Sequence, residues 1–84
     1  MLTLEKACEL ATKTRNEPYL DVIIDIGHSF VMSTLSKEGL SADIPPLMLN
    51  KENGSVGVFF PPQHLKEFSK GKNIEVPIEY QFKK

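Results

Sequence analysis

The sequence predicts a single small α+β domain over residues 1–84, with one antiparallel or mixed sheet and its helices against one face. Three observations predict it. The first segment repeats apolar residues at helical spacing. Several later segments alternate apolar and polar residues with the period of a strand. Between two of those segments stands Asn53-Gly54, a strong hairpin signal because both residues tolerate positive φ.

Residues 4–14 read as the opening helix. Thr3 can cap its first turn, and Leu4, Ala7, Cys8 and Ala11 fall on one side, broadened by Leu10. Asn16 and Pro18 mark the stop. "YLDVIIDI" then alternates, with Leu20, Val22, Ile24 and Ile26 on one face and Asp21, Ile23 and Asp25 on the other. Gly27, His28 and Ser29 permit a turn. "FVMSTLS", residues 30–36, is the returning strand, since Phe, Val and Thr favour extended backbone. "KEGLSAD" is a polar loop hinged at Gly39.

"IPPLMLNKENGSVGVFFPP" reads as a hairpin. In a tight type I′ turn at Asn53-Gly54, Leu49 faces Val58, Leu47 faces Phe60, and Pro45-Pro46 lies opposite Pro61-Pro62. A type I turn with Gly54 as a bulge would shift the pairing by one. The grouping of Leu47, Leu49, Val56, Val58 and Phe60 favours the first. Pro62 suits the first position of a short helix with Leu65 and Phe68 on its inner side and Gly71 as its cap. In "NIEVPIEYQF", Ile74, Val76, Ile78, Tyr80 and Phe82 alternate with Glu75, Pro77, Glu79 and Gln81, the pattern of a half-buried edge strand. The expected order is α-β-β-β-β-α-β.

Composition is that of a globular protein, 40% hydrophobic and 25% charged. A net charge of −1 argues against a general nucleic-acid binder. Cys8 is the only cysteine, so no intrachain disulfide is possible. No apolar core of a signal peptide follows the N-terminus and no apolar run is long enough to span a bilayer. The expectation is a cytoplasmic protein that makes no membrane contact.

The candidate chemistry is sparse. Asp21, Asp25 and His28 invite a metal, but two carboxylates at that spacing stand about 13 Å apart on an extended strand, too far to share an ion. Cys8, His28 and His64 lack the Gly-rich elbow and small-residue loop of a nucleophile site. "FFPP" lacks the PxxP spacing of a polyproline ligand. The reading is therefore a non-enzymatic protein without a cofactor. What remains is the sheet face away from the helices, assigned Asp21, Ile23, Asp25, Met48, Asn50, Phe59, Glu75 and Glu79. Apolar residues rimmed by acids suit a protein partner, particularly a basic one, or a second copy of the chain in a homodimer.

The second half, "IPPLMLNKENGSVGVFFPPQHLKEF", resembles the C-terminal part of the small YrhB-like domains, grouped with an immunity-protein family of bacterial polymorphic toxin systems. Pro46, Leu47, Leu49, Lys51, Gly54, Val56, Pro62, Leu65, Glu67 and Phe68 occupy the corresponding places, and Ala7, Leu10 and Ala11 suit the family's opening helix. The family's aromatic pair at the start of its second strand has only Ser29-Phe30 as a counterpart, and the last segment has no match. The resemblance implies a non-enzymatic cytoplasmic protein that binds and neutralises a toxin, or a small chaperone-like binder. The alternative role is a homodimeric accessory protein of a bacterial or mobile-element operon, self-associating through the same sheet face.

Overall fold

The computed structural model describes residues 1–40, 45–58 and 70–82. Helix α1 spans Leu4–Arg15. The strands are β1 (Tyr19–Asp25), β2 (Ser29–Leu35), β3 (Leu47–Asn50), β4 (Val56–Val58) and β5 (Lys72–Ile74), and a 3₁₀ turn follows at Ile78–Tyr80. They form one five-stranded sheet of order β4-β3-β2-β1-β5. Every neighbouring pair is antiparallel. The α+β class is as expected. The expected second helix falls on residues 62–69, outside the described residues, as does the pairing of Pro61-Pro62.

α1 begins where the sequence signals it. The Thr3 hydroxyl accepts a hydrogen bond from the Lys6 N–H at 3.2 Å. The helix ends at Asn16, whose φ of 55° is the left-handed conformation that asparagine tolerates, and its N–H reaches back to the carbonyls of the last turn. Its inner side is Ala7, Cys8 and Ala11, all fully buried. Such small side chains let the helix backbone lie close over the sheet. They pack on Leu20, Ile23, Phe30, Met32, Leu47 and Leu49, with Leu2, Leu4, Leu10, Ile74, Val76 and Tyr80 closing the margins.

The expected alternation of β1 is overturned in its middle. Leu20 pairs with Thr34, but Val22 pairs with Ser33 and Ile23 with Met32, so an extra residue is accommodated between Leu20 and Val22. Asp21 is that residue. The bulge reverses the alternation that follows. Ile23 therefore joins the core and Val22 and Ile24 turn to the open face, the opposite of the simple period-2 reading. The physical reason is that Leu20 and Ile23 both reach the layer beneath α1 only if the intervening pair of residues occupies a single register step.

The hairpin keeps its predicted faces but not its predicted turn. Leu47 pairs with Val58 and Leu49 with Val56, two residues out of the expected register. The loop is longer than either expected turn, spanning 51–54. Gly54 donates to the Asn50 carbonyl at 2.9 Å and carries a φ of 72°. The Asn50 side-chain oxygen accepts from Glu52 and Asn53 N–H, and that of Asn53 accepts from Ser55 N–H. These side-chain bonds hold a wider loop than two residues alone would make.

The last expected strand is also corrected. Extended pairing stops at Ile74. Pro77 has no N–H for a ladder, and Tyr80 instead donates to its carbonyl at 2.9 Å, closing the 3₁₀ turn. The turn puts Tyr80 against the core and leaves Ile78 exposed. Phe82 then folds back on Tyr19, the rings meeting edge to face at 5.4 Å.

Candidate functional site: the open face of the sheet

With α1 on one face, the other face is built by register alone. Ile24 lies beside Val31, Val31 beside Met48, and Met48 beside Gly57. Val22 lies beside Ser33 in the next row. Val22, Ile24, Val31, Ser33 and Pro46 line a depression of about 220 Å³. That is smaller than the usual small-molecule cavity of roughly 300–1,000 Å³ and is the size of an inserted side chain. Val31 forms its floor at 3% exposure, while Val22 on its rim is 37% exposed.

The residues expected on this face fall in several places. Met48 is on it, half-buried. Asp21 is exposed at the bulge beside it. Ile23 is not, being fully buried under α1. Glu75 is exposed just past β5, and Phe59 lies outside the described residues. Glu79 is exposed on the 3₁₀ turn, near enough to α1 that its charge bears on Cys8. The acid-rimmed face therefore does not assemble, and an apolar one does.

Asp25 has turned with Ile23 towards the helix layer, where it belongs to a different group. Its carboxylate accepts from the Lys51 ammonium at 2.7 Å and from the Gly27 N–H at 2.8 Å. The same ammonium stands 4.7 Å above the centre of the Phe30 ring. Burial works to raise the Asp25 pKa, but the Lys51 hydrogen bond, the Gly27 N–H and the charges of Lys51 and Lys72 outweigh it and hold the carboxyl below its ordinary range. His28 Nδ1 shares a hydrogen bond of 2.7 Å with the Ser29 hydroxyl, and its carbonyl accepts from Lys51 N–H. Buried Thr34 donates to the Glu17 carboxylate at 2.5 Å.

Among the described residues, which do not include His64, the reactive residue types are dispersed. Cys8 is in the core, where burial, aided by the charge of Glu79, pushes its thiol up to about 11. A thiol so protonated is a poor nucleophile at neutral pH. Among the described residues no three His, Cys, Asp or Glu side chains group to hold a metal ion, and no helix is long and apolar enough to cross a membrane.

Val22 and Ile24 were missed because the run "VIID" gives no parity of its own. The spacing of Leu20 and Ile23, with a strand-averse Asp between them, was the signal available. No protein-family model, curated protein or solved structure matches this chain.

Proposed function

We propose that this chain is a small non-enzymatic protein-binding domain that acts by covering part of a partner's surface with the open face of its sheet. The observation that carries the reading is the apolar depression between β1, β2 and Pro46, walled by Val22 and Ile24 and floored by Val31. It is a largely apolar surface on a central part of the sheet, lined by one hydroxyl, that of Ser33, and by no acid, base or thiol. An immunity-type role, occluding a toxin domain, is the form of this reading that the resemblance of the hairpin implies. Asp21, at the rim, would meet a basic residue of such a partner.

The test is titration calorimetry against the polypeptide encoded by the adjacent gene. Val22→Lys should weaken binding at least tenfold and Asp21→Lys by a smaller factor, with the thermal midpoint of each variant close to that of the parent. Unchanged binding by Val22→Lys would rule this face out.

A further inference from the structure

The two edges of the sheet are unlike each other. β5 carries Lys72 and is preceded by Lys70, and charged side chains of this kind discourage strand addition. β4 is Val-Gly-Val, uncharged, with all its residues exposed, Val56 at 37% and Val58 at 42%. Among the described residues no strand lies beyond it. Its hydrogen-bonding direction follows from the hairpin. Asn50 N–H donates to the Ser55 carbonyl at 2.9 Å, so Asn50 and Ser55 are a bonded pair. Bonded and non-bonded pairs alternate along an antiparallel ladder. Gly57 therefore points its N–H and C=O at Met48 on β3, and Val56 and Val58 point theirs outward.

We propose that β4 is a self-association edge, at which two copies of the chain pair β4 against β4, antiparallel, about a two-fold axis at Gly57. The segment is palindromic about that glycine. Under the two-fold, each Val56 meets the other copy's Val58, and the outward N–H and C=O groups of both exchange hydrogen bonds, so the contact is isologous and closes at two copies. The lysine-guarded β5 edge does not compete, which keeps the pairing from propagating into a fibre. Among the described residues Gly57 is under no steric or conformational demand: a Cβ there would meet none of their atoms within 4 Å, and its φ is not left-handed. At the two-fold its bare backbone leaves the seam between the two open faces flat. The open-face reading neither requires this contact nor is required by it.

The seam is short, so the dimer is a weak one, expected to form between about 10 μM and 1 mM. Sedimentation equilibrium over that range should show the weight-average mass rising from monomer towards dimer. Val58→Pro removes an outward N–H without touching the ladder to β3, and should weaken the dimer at least tenfold. Val22→Lys, on the open face, should leave it unchanged. Gly57→Cys gives a readout that survives a folding defect in the proline variant. The two-fold sets the introduced thiols at a non-bonded pair, with Cα atoms roughly 4.5 Å apart, within disulfide range. Mild oxidation should yield covalent dimer at least tenfold faster than with Asn73→Cys on the opposite edge. A chain that stays monomeric to 1 mM, equal cross-linking at both edges, or a dimer abolished by Val22→Lys but not by Val58→Pro would each overturn the proposal.

Discussion

Gly39 and Phe82 show how one residue can anchor a terminal segment. Gly39 has a φ of 77°, and a Cβ built on it would lie 2.5 Å from the Phe82 ring. Gly54 has a similar φ of 72°, but a Cβ there would meet none of the described residues within 4 Å. Gly54→Ala should therefore cost only the left-handed backbone penalty, about 1–2 kcal/mol. Gly39→Ala should cost that and displace Phe82 from Tyr19 as well. Urea denaturation of both variants, alone and with Phe82→Ala, checks this: the excess at Gly39 should vanish once the ring is gone. The Asp25–Lys51 pair makes a pH prediction. A carboxyl held below its unfolded value adds stability that is fully present above the unfolded pKa and is lost as pH falls through the folded one. With both side chains only partly shielded, the contribution is about 0.5–1 kcal/mol. Asp25→Asn should be less stable than the parent by that amount at pH 7, and the gap should close between about pH 5 and pH 2.

At the scale of elements, the bulge in β1 has a distinctive consequence. Because Asp21 occupies no register step of its own, removing it would leave Leu20 opposite Thr34, Val22 opposite Ser33 and Ile23 opposite Met32. Deletion of Asp21 should thus give a folded protein with a cooperative urea transition. Deletion of Met32 from the central strand, which turns half of β2 over, should abolish that transition. Circular dichroism across the titration distinguishes the two. The elements legible in the sequence were those whose signals are local: the Thr3 cap, the stripe of α1, the turn at Gly27, and the glycine of the hairpin. The bulge was not legible because four apolar or acidic positions in a row satisfy either parity, and the choice is made by what α1 buries. The end of β5 was hidden for a similar reason. Pro77 fits an edge strand by pattern, but the chain turns at Ile78–Tyr80, which packs Val76 and Tyr80 on the core and leaves Ile78 exposed.

At the scale of the whole molecule, these local reversals redistribute function. Parity in β1 decides whether the open face is acidic or apolar, and one extra residue makes it apolar. Met48 was placed correctly because β3 has no irregularity, whereas Ile23 and Asp25 were displaced together by the bulge that lies before both. The two surfaces so defined, the apolar depression and the β4 edge, lie on different parts of one sheet and can be altered separately. Asp25, expected on the open face, lies on the helix side and joins Lys51 and Phe30 in holding the hairpin loop to the turn between β1 and β2.

The helix is fastened to the sheet at both of its ends. Leu2 N–H bonds the Lys51 carbonyl beyond one end of β3, and the Arg15 guanidinium bonds the Pro45 carbonyl before the other. α1 is thereby a clasp across the length of β3, joining segments that are far apart along the chain. Opening of either helix end then draws on the matching end of the strand, so amide hydrogen exchange in α1 and β3 should slow or quicken together.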